Sequence, residues 1–325
     1  MRKVLYLSHA TPEVYAIIGA AVPPDFQLLT LELDSDDERR EKLAACEVVI
    51  VAATPLRRPL IEAARRLELV HHQGVGWQDT TDHAVLKERR IPLAFTPEGT
   101  TIGVAEHAVL LILAALKRLP FADAELRHGR FHINALRPVS RELMGMTVGY
   151  VGMGRIGQAL AERLAPFGTR GIFFDPQVSS RPGLERRTLH EVLSQADVVT
   201  LHLPLTPETR HLMNRENFAR MKPGAFLVNT ARGGLVDERA LVDALKSGRL
   251  AGAALDVFEE EPVRAGHPLA GLPNVVLTPH IASGSLATRR AMASLAVDNL
   301  IAALGCGPHA GRPPTPVNPE VLAAR

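Results

Sequence analysis

Residues 147–157 read TVGYVGMGRIG, with Gly152-x-Gly154-x-x-Gly157 set between a strand-like run and an amphipathic helical segment over 155–166. Alone, that glycine spacing is weak, because turns of many kinds use glycine. Here a second strand, RGIFFD (170–175), follows the helix and closes on an acid 18 residues past Gly157. Strand, glycines, helix, strand and acid, in that order, are the pattern of a dinucleotide-binding unit. Gly152 permits the tight turn, Gly154 lets backbone approach a pyrophosphate, and Gly157 lets helix and strand pack closely. The helix start offers N–H groups and the positive end of its dipole to the phosphates. Asp175 stands where a carboxylate accepts from the adenosine ribose 2′-hydroxyl and repels a 2′-phosphate. Pro176 and Gln177 follow it and supply no cation. The expected cofactor is NAD rather than NADP.

On either side, short apolar runs alternate with helical stretches. VLYL (4–7), FQLLTLEL (26–33), EVVIVA (47–52), ELVHH (68–72) and PLAF (92–95) read as strands, with helical spacing over 59–67 and 82–90. A longer apolar helix runs from about Ile102 to Leu119, where Pro120 interrupts it. After RGIFFD come the strand candidates DVVTLHL (197–203), AFLVNT (225–230), GAALDV (252–257) and NVVLTP (274–279), separated by helices near 188–195, 214–221 and 237–247. Alternation of this kind implies parallel sheets joined by crossover helices. A last helix at about 285–304 precedes a Pro-rich tail. Boundaries near 97–101 and 281–286 make the middle a continuous nucleotide-binding domain, with the first domain completed by the C-terminal helix.

Size and charge agree. The chain has 325 residues, about two domains at roughly 150 residues each. Lys and Arg number 37 against 35 Asp and Glu, a net charge of +2, so no excess points to nucleic acid or an anionic membrane surface. An apolar content of 46% suffices for a sizeable core. Two cysteines, Cys46 and Cys306, exclude a disulfide framework and a Cys-rich zinc site; no metal is expected. The longest apolar stretch, Ala108 to Leu116, is far short of the about 20 residues that span a bilayer, and MRKVLYLSHA reads as a strand rather than a signal peptide. A cytoplasmic protein is expected.

Three ionisable residues follow three successive strands. Arg232 lies past AFLVNT, flanked by Gly233 and Gly234. Glu261 ends DVFEEEP, and His280 ends NVVLTPH. Each alone reads as a solvated loop charge, and a lone histidine among 13 means little. Together, at the carboxyl ends of strands in a nucleotide-binding series, they favour a site. Gly74 and Gly76 follow ELVHHQ, and the N–H groups of Val75 and Gly76 can point at an anion; from spacing alone a plain glycine turn reads equally well.

On these residues the chain resembles the D-isomer-specific 2-hydroxyacid dehydrogenases. VGMGRIG, HLPLTPET (202–209), NTARGGLVDERAL (229–241), ALDVFEEEP (254–262) and NVVLTPHIA (274–282) carry the likeness, with GVG (74–76) and VAEH (104–107) adding to it. The resemblance implies two doubly wound α/β domains. A Rossmann NAD-binding domain (99–285) is inserted in a flavodoxin-like substrate domain (1–98 and 286–325), with the active site between them. It implies that Arg232 orients the carbonyl and carboxylate of a small 2-oxo or 2-hydroxy acid. His280 is then the acid/base, Glu261 hydrogen-bonds it, and Val75 and Gly76 cradle the carboxylate beside Arg232. It further implies that Arg155 and Ile156 meet the pyrophosphate, Leu203 and Pro204 line the adenine side, and Thr230, Ala231 and Asp256 face the nicotinamide. A homodimer through 102–145 is also implied. His202 reads equally as the end of a core strand, and His107 as a packing or inter-subunit residue.

The loop GVGWQDTTD (74–82) is one residue longer than the family's usual form and carries Trp77, which is expected to shrink the substrate pocket. Val75 replaces the Lys of phosphite-oxidising relatives, and Glu261 the Gln of formate-oxidising ones. No regulatory domain of the kind found in many phosphoglycerate dehydrogenases is expected after residue 305. Reduction of glyoxylate, hydroxypyruvate or a similarly small 2-oxo acid to a D-2-hydroxy acid is the expected activity. The alternative is a nonenzymatic NAD(H)-sensing scaffold of the same fold, akin to corepressors.

Overall fold

A computed structural model describes residues 1–96, 99–303 and 313–322. Cys306 and the chain at 97–98, where a domain boundary is expected, lie outside the described residues. The chain divides into two compact units, Met1–Thr100 with Ser285–Arg325, and Thr101–Gly284.

The first unit is built on β1 (Arg2–Tyr6), β2 (Phe26–Leu29), β3 (Val48–Val51), β4 (Leu69–His72) and β5 (Leu93–Phe95), all parallel in the order β2-β1-β3-β4-β5. This is the flavodoxin-like order. Every residue of β3 and β4 is buried, as expected of central strands covered on both faces. Successive side chains point to opposite faces and so feed two cores. Leu5, Val49, Val51 and Val70 pack with Leu43, Leu60 and Leu86 on one side. Val4, Tyr6, Val48, Ile50 and Leu69 pack with Ile18 and Tyr15 on the other.

The second unit holds β6 (Thr147–Val151), β7 (Arg170–Phe174), β8 (Leu184–Arg186), β9 (Val198–Leu201), β10 (Ala225–Asn229), β11 (Leu250–Leu255) and β12 (Val275–Leu277). They form a parallel sheet in the order β12-β11-β10-β9-β6-β7-β8. Read from β8, this is the 3-2-1-4-5-6 winding of dinucleotide-binding domains with one strand added. Again two cores form. Val151, Val199, Leu201 and Leu227 meet Val192, Leu241 and Leu245 on one face. Tyr150, Phe173, Val198 and Val228 meet Leu111, Ile112 and Leu160 on the other. Gly149 lets the helix Leu189–Gln195 lie directly on β6, since a Cβ there would stand 2.7 Å from Val192 Cγ1 and Ala196 Cβ.

Several features went unread in the sequence, among them the helices Pro12–Ala21 and Asp36–Ala45, β8 and the pairing of the tail. β8 is three residues long and only partly buried, so no apolar run marks it. The Pro-rich tail returns to the edge of β5. Phe95 N–H donates to Thr315 O at 3.2 Å and Val317 N–H to Leu93 O at 2.7 Å. Asn318, 6% exposed, accepts from Leu93 N–H at 2.8 Å and donates to Ile91 O at 3.0 Å. Among the described residues no helix is long and apolar enough to cross a membrane.

Asn318→Ala strands two buried backbone groups, at about 1–3 kcal/mol. The expected outcome is a lower urea midpoint for the first unit, read by fluorescence of Trp77 within it.

Candidate active site

Six strand ends on one edge of the second sheet carry all the site residues singled out above except Val75 and Gly76, because in a parallel sheet all the carboxyl ends lie together. The turn after β6 starts at Gly152, with φ of 98°. A Cβ there would stand 2.4 Å from His202 O, and one at Gly157 would stand 2.5 Å from Gly152 O. Both glycines are needed to bring turn, helix and the β9 loop into contact. Gly154 differs, since a Cβ there would meet nothing within 4 Å. It caps the helix Arg155–Leu164, whose start has no side-chain cap.

These features fit a dinucleotide. The open face of Gly154 and the uncapped N–H groups of Arg155 and Ile156 suit a pyrophosphate. The Thr230 hydroxyl, just past β10, is buried with no partner among the described residues, as a group awaiting a ligand would be. Asp175 accepts from Met153 N–H at 2.7 Å on Oδ2, and from Gln177 and Val178 N–H at 2.8 and 3.0 Å on Oδ1. Three donors aim the carboxylate and leave Oδ2 a lone pair for a ribose hydroxyl. The sequence showed no cation beside Asp175, but β8 brings one: Arg186 donates to the Asp175 carbonyl oxygen at 3.2 Å. Leu203 and Pro204 follow β9. His202 is a strand-end histidine, bonded to Thr200 Oγ1 at 2.9 Å and pushed down to about 4 by burial, so it is neutral at physiological pH.

The loops after β10, β11 and β12 bring Arg232, Glu261 and His280 together. Asn229 shapes the first, accepting from Ala231 N–H at 3.0 Å and donating to Arg232 O at 2.8 Å. Gly233 lets this loop lie on the next, for a Cβ there would stand 1.8 Å from the Phe258 carbonyl carbon. Glu261 Oε1 accepts from Phe258 N–H at 3.0 Å, and Oε2 meets His280 Nδ1 at 2.8 Å. Burial raises the Glu261 carboxyl. The bond and charge of His280, the Phe258 N–H and the nearby Arg232 charge outweigh it and hold the group below its usual range. An ionised Glu261 accepts, so His280 Nδ1–H donates, and Nε2 lies on the ring side away from Glu261. His280 has φ of 54°, a conformation that side chains adopt at a cost and that recurs at functional sites.

Asp256, placed against the nicotinamide by resemblance, is fully buried. It accepts from Thr278 Oγ1 at 2.6 Å, Ile281 N–H at 2.9 Å and Ala282 N–H at 2.8 Å. His107 lies beside it, with Nε2 3.0 Å from Thr278 Oγ1 and 3.5 Å from Asp256 Oδ1. Thr278 went unnoticed in the sequence, although its place two residues before His280 was a signal. Val75 and Gly76 belong to the first unit. There Gly74 turns with φ of 117°, and Gly76 caps the short helix Trp77–Thr80. The Trp77 ring packs on that unit's core and edge-on to His83, which accounts for it as a packing residue.

The D-isomer-specific 2-hydroxyacid dehydrogenase NAD-binding domain model matches residues 109–282. A glyoxylate reductase of Thermofilum pendens is 43% identical over 273 residues, 82% of this chain and 79% of that protein. The crystal structure of a protein from Thermus thermophilus superposes with a TM-score of 0.86 at 37% identity, covering 98% of this chain and 100% of that one. An NADPH-dependent glyoxylate/hydroxypyruvate reductase of Sinorhizobium meliloti, solved with citrate, gives 0.82 at 34% identity and 98% of both chains.

The depressed Glu261 carboxyl links pH to stability. Its contribution is complete above the unfolded value of 4.5 and is lost as pH falls through the folded value. Unfolding titrations of wild type and Glu261→Gln should converge as pH drops below that point; curves that stay parallel would remove the assigned interaction.

Proposed function

The chain belongs to the D-isomer-specific 2-hydroxyacid dehydrogenase family, NAD(P)-dependent oxidoreductases, and we propose that it reduces a small 2-oxo acid, glyoxylate or hydroxypyruvate, with NADH. The observation that carries this reading is the His280–Glu261 pair at 2.8 Å, next to Arg232 and on the sheet edge that carries the glycine turn. Gly152, Gly154, Arg155, Ile156 and Gly157 hold the pyrophosphate. Asp175 takes the ribose, Leu203 and Pro204 the adenine side, and Thr230 and Ala231 the nicotinamide, while Asp256, fully buried and bonded to Thr278, Ile281 and Ala282, holds the loop behind them.

Bound at this turn, a reduced nicotinamide would supply a hydride to C2 of the 2-oxo acid. Arg232 offers a planar fork of donors that grips the carboxylate and polarises the carbonyl. His280 delivers the Nε2 proton to the carbonyl oxygen, and Glu261 keeps the ring aimed and balances its charge. On the first unit, the Val75 and Gly76 N–H groups are the proposed carboxylate donors. The nonenzymatic scaffold reading is not favoured, since the named relatives are reductases. Asp175 supports NAD over NADP. Arg186 works the other way, as a cation at the same strand end.

The homodimer is proposed on an observation within the second unit. Leu110, Leu119, Leu126, Phe131, Ile133 and Met144 are exposed, Phe131 by 75%, and such apolar residues suit a self-association surface. Sedimentation should give a dimer, and Leu126→Glu with Phe131→Glu a monomer; an unchanged dimer would place the interface elsewhere.

Oxidation of NADH by glyoxylate, followed by the loss of its near-ultraviolet absorbance, tests the activity. His280→Ala should lower kcat by roughly 10²–10⁴-fold with NADH binding retained. Arg232→Lys should lose most turnover, because an ammonium cannot make the two-pronged contact. The NADH preference should be about 100-fold, or about 2.7 kcal/mol, and narrow in Asp175→Ala. Equal kcat/KM for NADH and NADPH in the wild type would reject the role given to Asp175.

A further inference from the structure

We propose that His107, on the helix Thr101–Lys117, is a positioning residue for His280, acting through Thr278 and Asp256. The inference rests on His280 being the proton donor and goes beyond it, because His107 touches none of the reacting groups assigned above.

His280 is held by its neighbours on both sides. Its own N–H donates to Asp256 O at 2.8 Å. The next two N–H groups, of Ile281 and Ala282, donate to the two oxygens of the Asp256 carboxylate. Two residues before it, Thr278 bonds Asp256 Oδ1 at 2.6 Å. One carboxylate therefore grips the loop before and after the left-handed residue that carries the imidazole. A loop bent to a costly φ keeps that shape only when its surroundings over-determine it.

That carboxylate is fully buried and must be satisfied from within the protein. Backbone N–H groups serve Oδ2 and one direction of Oδ1, and the Thr278 hydroxyl serves another. The hydroxyl has one proton, and the 2.6 Å bond to a carboxylate uses it. Toward His107 the Thr278 oxygen can only accept, so His107 Nε2 carries a proton and donates at 3.0 Å. The same N–H lies 3.5 Å from Asp256 Oδ1. His107 thus fixes the Thr278 rotamer and completes the donors around Asp256. The His107 side chain is 11% exposed, and its helix packs against β11 and β12, the two strands whose ends it ties. A packing histidine would need the volume alone; this one is bound through a specific nitrogen.

Two substitutions separate the roles. His107→Leu keeps the volume and loses the donor, whereas His107→Gln can place an N–H near the Nε2 position. With glyoxylate and NADH, His107→Leu should lower kcat by about 10–100-fold, as misplaced catalytic groups do, with KM for glyoxylate changed little. His107→Gln should restore most of it. Thr278→Val should match His107→Leu, and the double variant should be no worse than either single one. Amide exchange at residues 280–282 should quicken in the Leu and Val variants and stay protected in the Gln variant. Wild-type turnover of glyoxylate checks the activity separately, and the exchange pattern tests the positioning role even if no 2-oxo acid is turned over. Equal behaviour of His107→Leu and wild type would overturn the proposal. So would a loss in His107→Gln as large as in His107→Leu, a change in KM alone, or strictly additive losses in the double variant.

Discussion

A carboxylate buried without exposure at the end of β11 imposes order on everything around it. Asp256 cannot reach water, and unpaired burial of an ionised group is costly, so the chain must bring donors to it. Those donors come from the loop after β12, whose two N–H groups and threonine hydroxyl close on the carboxylate. The loop that curls around Asp256 carries His280 at a φ of 54°, with its ring against Glu261. The geometry proposed for proton transfer therefore sits on a loop that also satisfies one buried charge.

A second constraint is steric. Gly233 lies so close to the Phe258 carbonyl that no side chain fits between. The loops after β10 and β11 can then touch backbone to backbone, which brings the Arg232 guanidinium within electrostatic range of Glu261. Charge of both signs is concentrated there, with the Arg232 cation near the Glu261 anion that bonds His280. Held on rigid strand ends, such groups need little reorganisation when charge moves. The cofactor side follows the same logic, with Asp175 aimed by three backbone N–H groups rather than left to rotate in solvent.

Much of this was legible in the amino-acid order. Glycine spacing, apolar runs and the acid closing RGIFFD expose both sheets and the dinucleotide turn, because parallel strands buried on two faces must be continuously apolar and a pyrophosphate turn must be glycine. Arg232, Glu261 and His280 were visible as charges at consecutive strand ends. Among what escaped were features without local signatures. β8 is short and half-exposed. The tail around Asn318 is rich in proline, yet it pairs with β5 through contacts more than 200 positions away in the chain. Arg186 stands near Asp175 only because β8 lies beside β7, so a search along the chain for a cation beside the acid finds none.

His107 shows where the division falls. On an apolar helix a histidine reads as packing, since its hydrogen-bond partners lie 149 and 171 positions away, at Asp256 and Thr278. The sequence by itself determined the strands, the turn chemistry and the residue types available at each strand end, because periodicity and glycine act over neighbouring residues. Only the tertiary structure decided which of those residues meet, which nitrogen of His107 carries the proton, and which backbone groups a buried carboxylate claims. Those are matters of distance between remote segments, set when the sheet closes and each buried polar group has to find its partner.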